Sequence, residues 1–187
     1  MPSWIIVLIV LGVLALVVIG IYNRLVSLRA STTQAFADID VQLKQRHDLI
    51  PNLGETVKGY ATQEKTTLDA VITARNAAAS ARGASGQAQA EQQLTTALGN
   101  IFALAEAYPD LKANQNFLRL QADLSDIENK LAAARRFFNN AVQEYNAAIQ
   151  QFPAVLFAGA FGFNERGSFD VGETAREALD APVQVKF

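Results

Sequence analysis

The single histidine of this 187-residue chain lies between an arginine and an aspartate, in Arg46-His47-Asp48. A histidine beside a carboxylate can transfer protons. Adjacent helical side chains point in different directions, however, so His47 and Asp48 do not form a ready base and orienting group. We weigh two interpretations: a proton-handling or partner-binding site beside Pro51, and the commoner solvent-exposed helix face with ion pairs. Asp48 could also cap a helix that restarts after Pro51.

Composition excludes several other kinds of chemistry. The chain has no cysteine, which removes disulfides and Cys-ligated zinc or iron–sulfur sites, and one histidine cannot build a His-rich metal site. A net charge of -2 argues against a dedicated nucleic-acid-binding protein. No motif pairs a nucleophile with a base. The sequence therefore predicts a non-enzymatic protein without cofactor, metal or nucleic acid.

Two other segments are candidates for interaction. Arg135 and Arg136 either contact lipid headgroups or an acidic partner, or lie along a helical bundle and pair with carboxylates. The apolar stretch 154–163 is too short to span a bilayer as a helix. It either forms an exposed surface that enters the membrane interface or docks a subunit, or it packs on its own bundle. The aromatic candidates in this stretch are Phe157, Phe161 and Phe163.

An apolar helix is the first element that must position these residues. Residues 1–23 carry no charged side chain, and the run from Trp4 to Tyr22 would rise about 28 Å as a helix, close to the thickness of a bilayer core. Trp4 and Tyr22 suit its two interfaces. No basic residue precedes the run and no small-residue cleavage site follows it, which argues against a signal peptide. We expect an uncleaved single-pass anchor over residues 1–23.

The residues after the anchor suggest its orientation. Arg24 and Arg29 follow the apolar run, and no acidic residue occurs before Asp38. The positive-inside rule then places the N-terminus outside and the following domain in the cytoplasm. The alternative is a domain on the outer, periplasmic side.

From residue 24 to about 152 the hydrophobic pattern has the period of a helix. Between Phe117 and Ala148 apolar residues recur at alternating steps of three and four, the pattern of a helix–helix seam. No strand-like alternation occurs before residue 183. The fold class is therefore predicted as all-α, an N-terminal transmembrane helix continuing into an elongated antiparallel up-and-down bundle of three to four long helices. This bundle domain is placed at residues 24–163.

A few residues interrupt the helical pattern. Two glycines mark a loop at 81–86, and Pro109 ends a short helix at Tyr108. Asn114 is a candidate N-cap for the long helix that Pro153 closes. Pro51 lies between two helical patterns, so it either kinks one long helix or separates two.

The tail, residues 164–187, is predicted to be partly irregular. Its last residues, Pro182–Phe187, alternate with the period of a strand. They could add to the sheet edge of another protein, or remain disordered or packed on the bundle.

Three motifs resemble the bacterial LemA family. The first runs from Asp40 through Arg-His-Asp-Leu-Ile-Pro-Asn to Leu53, and the second is Ala-Glu-Ala-Tyr-Pro-Asp-Leu-Lys-Ala-Asn at 105–114. The third combines Glu-Asn at 128–129 and Ala-Arg-Arg at 134–136 with Tyr-Asn at 145–146, Phe-Pro at 152–153 and Phe-Gly-Phe at 161–163. The resemblance implies a single-pass protein of the bacterial inner membrane with a helical-bundle domain, and it implies no defined activity.

These features together favour a membrane-anchored structural or interaction protein that self-associates into a scaffold. Its expected partners are the lipid bilayer, further copies of itself and other membrane proteins. The alternative is an adaptor subunit of another membrane complex, such as an envelope-stress or protease system.

Overall fold

The computed structural model describes residues 2–61 and 64–169. Within these ranges the chain forms α-helices and one 3-10 turn, and no strand. The predicted all-α class is confirmed. The predicted strand-like end at Pro182–Phe187 lies outside the described residues. The helices are α1 (Ser3–Lys58), α2 (Lys65–Ser80), α3 (Ala84–Glu106), α4 (Pro109–Lys112) and α5 (Gln115–Gln150), and the 3-10 turn is Ala154–Leu156.

The apolar run forms the first part of α1. Apart from the half-buried Ile5, its large side chains from Trp4 to Ile19 are exposed. In the described part of the chain, α1 is the one helix long and apolar enough to cross a membrane. It continues beyond residue 23 without a break, because the amphipathic stripe of the following residues has the same helical period.

Pro51 lies inside α1 and does not separate two helices. The helix ends later, at Lys58, and α2 begins at Lys65. Because proline has no backbone N–H, the carbonyl of His47 loses its helical partner. Arg75 Nε, on α2, donates a hydrogen bond to that carbonyl at 3.4 Å. The proline thereby creates an acceptor that links α2 to α1.

The loop between α2 and α3 is shorter than the predicted 81–86. α2 ends at Ser80 and α3 begins at Ala84. Gly83, with φ of 74°, makes the turn, since side chains strongly disfavour that conformation. Gly86 is already inside α3.

Between α3 and α5, a proline and an asparagine occupy the positions at helix starts that suit their side chains. α3 has ended at Glu106, and Pro109 occupies the first position of the short α4, where its missing N–H costs nothing. The Asn114 side chain accepts a hydrogen bond from the Phe117 N–H at 3.0 Å. The predicted N-cap of the long helix is confirmed, and α5 ends at Gln150, shortly before Pro153.

The chain divides into two compact units. The first comprises residues up to Ala37 together with Arg136–Ser168. Phe36 of α1 packs on Phe138 of α5, with ring centroids 5.4 Å apart, whereas Leu25 packs near the end of α5. The two helices therefore run antiparallel. The core of this unit contains Leu25, Tyr145, Ala148, Ile149, Ala154, Ala158 and Phe163.

Among the described residues, the second unit comprises Asp38–Arg135 and Phe169. Gln87 Nε2 donates to Asp40 Oδ1 at 3.1 Å, and further along both helices Arg46 pairs with Glu91, so α1 and α3 are parallel. α2 connects them and runs the opposite way. α5 also runs opposite to α1, giving the predicted up-and-down topology. The core of this unit includes Ile50, Leu53, Val57, Leu94, Leu98, Ile101, Phe117 and Leu124.

Candidate functional site

The second unit buries charged side chains in its interior. Arg46 is 4 %, His47 8 % and Glu91 1 % exposed. A charge removed from water is strongly unfavourable unless it is paired and hydrogen-bonded. The three side chains therefore need one another, and we treat them with their contacts as the candidate site.

Glu91 is the centre of this buried charge network. Arg46 Nη1 donates to Glu91 Oε2 at 2.9 Å, and His47 Nε2 lies 2.6 Å from Glu91 Oε1. Arg46 Nη2 donates to Thr95 Oγ1 at 2.8 Å, and that hydroxyl donates to the Glu91 carbonyl at 3.0 Å. Both carboxylate oxygens of Glu91 thus have a nitrogen partner, which explains how the side chain can be buried.

Glu128 and Arg135 of α5 extend the network toward the surface. Glu128 Oε2 lies 3.2 Å from Arg46 Nη2, and Glu128 Oε1 lies 3.5 Å from Arg135 Nη1. Burial lowers the pKa of Arg135, and Glu128 opposes that shift. The Arg135 guanidinium also lies over the Phe169 ring, 5.1 Å from its centroid. Three helices, α1, α3 and α5, therefore meet at this network.

The network balances its own charge. Two arginines, Arg46 and Arg135, face two glutamates, Glu91 and Glu128, and His47 Nε2 lies within hydrogen-bonding distance of Glu91. Each of these charged groups is paired within the unit, an arrangement that fixes the relative position of three helices. Among the described residues, no three histidine, aspartate or glutamate side chains gather in a way that could hold a metal ion.

Asp48 is separate from the network. It is exposed and pairs with Lys44 at 2.6 Å, and the hydrogen bond from Lys44 lowers the pKa of Asp48. A solvent-exposed face with an ion pair therefore describes Asp48 but is wrong for Arg46 and His47. Asp48 also caps no helix, because α1 continues past Pro51.

The other basic candidates and Pro51 lie apart. Arg135 meets a carboxylate, as the bundle interpretation expected, whereas Arg136 is exposed. Pro51 is exposed and lines a cavity of about 570 Å³ between α1 and α2. Ile50, Leu68 and Ile72 are among its apolar lining residues.

The structure divides the apolar stretch after α5. Phe163 is buried in the core of the first unit, Phe157 is half-buried and Phe161 is exposed. Tyr22 contacts both Phe161 and Phe163, each with a ring-centroid distance of 5.4 Å. The stretch 154–163 is thus partly exposed and partly packed, so neither of the two interpretations from the sequence describes all of it.

Glu91, Thr95 and Glu128 were missing from the sequence prediction. A signal for Glu91 exists, because it falls on the buried stripe of α3 between Ala88 and Leu94. Arg46 likewise fills the gap between Leu43 and Ile50 at the same three- and four-residue steps. A charged residue at a seam position indicates a buried ion pair, although it does not identify the partner.

Comparison with known proteins places the chain in a family. A family model described as the LemA family matches residues 35–187. The chain is 22 % identical to Protein LemA of Metamycoplasma hominis over 171 residues, which cover 91 % of this chain and 78 % of that protein. It is 23 % identical to Magnetosome protein MamQ of Magnetospirillum gryphiswaldense over 168 residues, which cover 76 % of this chain. The matched part spans 62 % of the length of that relative.

Neither of these names describes an enzymatic activity. Together with the apolar helix they indicate a membrane-associated protein. The match to the family model covers most of the chain, including the buried charge network and the apolar stretch after α5. The chain belongs to the LemA family.

Proposed function

We propose that this protein is a membrane-anchored structural protein that associates with further copies of itself into a scaffold. The continuity of α1 carries this proposal. The apolar segment passes directly into the packed part of the first unit, where Leu25 is buried, with no linker between them. Anchorage confines copies of the protein to a surface and raises their effective concentration, which favours lateral association.

The side chains of the two units fit a structural role. The charges of the network pair within the second unit, which favours a rigid body over a substrate site. On the first unit, Phe137 of α5 and Val26 of α1 are large apolar side chains that remain exposed. Exposed apolar residues on a packed helix are candidate contacts with a second copy. The relatives named magnetosome proteins are named for a structure and not for a reaction.

We further propose that the protein lies in the bacterial inner membrane with its N-terminus outside and its bundle in the cytoplasm. Arg24 and Arg29 directly after the apolar run support this orientation. Protease treatment of intact spheroplasts tests it, since a cytoplasmic bundle is protected until the membrane is opened. Cleavage of the bundle in intact spheroplasts supports the periplasmic alternative and contradicts the proposal.

Self-association is tested on the detergent-solubilised full-length protein by blue-native electrophoresis and light scattering. We expect a homogeneous homomer whose mass falls when Phe137 is replaced by glutamate. Gln143→Glu, at another exposed position of α5, is the matched control and should leave the mass unchanged. A strict monomer at high concentration would contradict the scaffold. Stoichiometric co-migration of a monomer with a different protein would contradict it as well and support the adaptor.

A further inference from the structure

The segment that follows α5 exposes a cluster of large apolar side chains. Phe152 is 81 %, Leu156 73 %, Val155 51 % and Phe161 51 % exposed. We call these four residues the post-α5 patch. Isolated exposed apolar residues are ordinary on protein surfaces, but four within ten residues form a local patch that calls for a partner.

Backbone hydrogen bonds fix the segment that carries the patch. The Phe163 N–H donates to the Ala158 carbonyl at 3.0 Å, and the Gly162 N–H donates to the Gly159 carbonyl at 3.1 Å. With Gly162 at φ of 74°, these two bonds form a Schellman motif. The motif turns Phe163 into the core beside Ala158. The patch is thus the outer face of an ordered segment whose inner face is buried.

Both ends of the patch lie against α1 where the apolar run ends. The Phe161 ring packs edge-to-face on Tyr22, with centroids 5.4 Å apart. At the other end, Phe152 lines a small cavity of about 90 Å³ together with Ile21 and Arg24. All of these residues belong to the first unit. The patch is therefore placed next to the last turn of the apolar segment.

This position defines the depth of the patch in a membrane. The run from Trp4 to Tyr22 is about one bilayer core long, so Tyr22 lies at the interface when α1 spans the bilayer. Because Phe161 touches Tyr22, it lies at the same depth. We propose that the post-α5 patch inserts into the interfacial region of the bilayer beside α1, as a second lipid contact of the same chain.

The chemistry of the patch suits this environment. Phenylalanine and leucine side chains favour the boundary between headgroups and acyl chains, into which surface-bound segments bury their apolar face. Arg24 beside Phe152 supplies a positive charge for anionic headgroups. When α1 spans the bilayer, lipid contacts the exposed part of Tyr22, so it reaches the adjacent patch without any further partner. A second copy of the chain is the competing occupant.

The inference rests on the membrane anchorage in the proposed function but not on self-association. Insertion would hold the first unit against the bilayer at two places, at α1 and at the end of α5. Two contacts restrict tilting of the unit in a way that a single helix does not.

Spin labelling tests the insertion, because the chain contains no cysteine and single-cysteine variants need no further change. Full-length Leu156→Cys protein is labelled with a nitroxide and placed in phosphatidylcholine–phosphatidylglycerol vesicles. The measurement compares collisions of the label with oxygen, which is concentrated in lipid, and with a water-soluble nickel chelate. Val10→Cys reports the anchor, and Asn140→Cys is the aqueous control at an exposed position of α5, about 15 Å before the end of that helix.

We expect the label at position 156 to resemble Val10→Cys in favouring oxygen over nickel, at a shallower depth, and Asn140→Cys to favour nickel. If position 156 behaves like position 140 while position 10 reports lipid, the patch is not inserted although the anchorage holds. Low collision rates with both reagents, together with spin–spin broadening at position 156, indicate a second copy and also overturn the inference. If position 10 reports water, the anchorage itself fails and the inference fails with it.

Discussion

Arg46 Nη1 of α1 lies 2.9 Å from Glu91 Oε2 of α3, and both side chains are buried. The pair joins residues 45 positions apart in the chain. A buried ion pair contributes little net stability compared with apolar residues of the same volume, but losing one partner is costly. The pair therefore acts mainly on the relative position of the helices, and it makes the second unit sensitive to single substitutions.

Replacing Glu91 by glutamine should destabilise the protein strongly. The change leaves Arg46 buried without its main counter-charge, and breaking a buried pair in this way costs about 3 kcal/mol. Urea unfolding of the full-length protein in detergent, followed by circular dichroism, measures the effect as a lower midpoint.

Asp48→Asn is the matched control, because it removes an exposed pair, with Lys44, from α1, the helix that carries Arg46. The lowered pKa of Asp48 means that the pair stabilises the fold above the ordinary carboxyl pKa, and that this contribution is lost as the pH falls through the lowered value. Solvent screens the pair, so we expect no measurable change in the urea midpoint at neutral pH. An Asp48→Asn effect as large as that of Glu91→Gln would show that burial does not set the cost.

Replacing both partners of the buried pair should restore stability. Arg46→Met leaves Glu91 without its arginine, and Glu91→Leu leaves the opposite charge unpaired. The double variant leaves neither charge of this pair, so it should be more stable than the sum of the two single losses predicts, by about 2 kcal/mol. A double-mutant cycle of urea unfolding measures this coupling, and strictly additive losses would contradict it.

Pro51 and Arg75 should be coupled through the carbonyl of His47. Pro51→Ala restores the helical N–H and gives that carbonyl a partner, so we expect the protein to gain about 1 kcal/mol or more. Arg75→Met should cost about 1 kcal/mol with Pro51 present, because the carbonyl loses its donor. In the Pro51→Ala background the same change should cost less. Equal costs in the two backgrounds would show that the Arg75 hydrogen bond does not replace the missing helical one.

Gly162 should tolerate alanine poorly. Its φ of 74° lies in the left-handed region, where a side chain costs about 1 kcal/mol. Gly159→Ala is the control, since Gly159 has no positive φ and space for a Cβ atom. Amide hydrogen exchange at Phe163 measures the effect directly. Protection should fall for Gly162→Ala and remain for Gly159→Ala, and equal protection would argue against the Schellman motif.

Asn146 should hold the chain after Phe163 on α5. Its side chain accepts a hydrogen bond from the Arg166 N–H at 2.9 Å and donates to the Arg166 carbonyl at 2.8 Å. Asn146→Ala leaves both backbone groups without this partner. We expect the free energy of local opening to fall by about 1.5–3 kcal/mol, so that the segment opens at least tenfold faster. Trypsin cleavage after Arg166, followed by mass spectrometry, measures the opening. Asn140→Ala, at an exposed position of the same helix, should cleave at the wild-type rate.

Local sequence patterns were sufficient to predict the apolar helix and the long helix α5 with its N-cap. The apolar run is recognised by its length and its lack of charge, and the seam of α5 by a period that depends only on which side chains share a helix face. The cap at Asn114 is similarly local, because its side chain bonds an amide three residues away. These features needed no knowledge of distant residues, and the structure confirms each of them.

Pro51 shows where local rules were insufficient. A proline inside a helical pattern permits either a break or continuation, since the lost hydrogen bond can be compensated from outside the helix. Arg75, on the next helix, supplies that compensation. Only packing of α2 against α1 could decide between the two outcomes.

Contacts between distant segments also determine which charges pair in the buried charge network and which side chains form the post-α5 patch. In the sequence, the spacing of Arg46 from Leu43 and Ile50 is compatible with a buried position, but spacing does not state which carboxylate the arginine meets. That choice depends on the parallel alignment of α1 with α3, which brings Glu91 to Arg46. In the stretch after α5, periodicity likewise could not separate Phe161 from Phe163. The turn at Gly162 places one at the surface and the other in the core, because burial is set by contacts between segments and not by side-chain type.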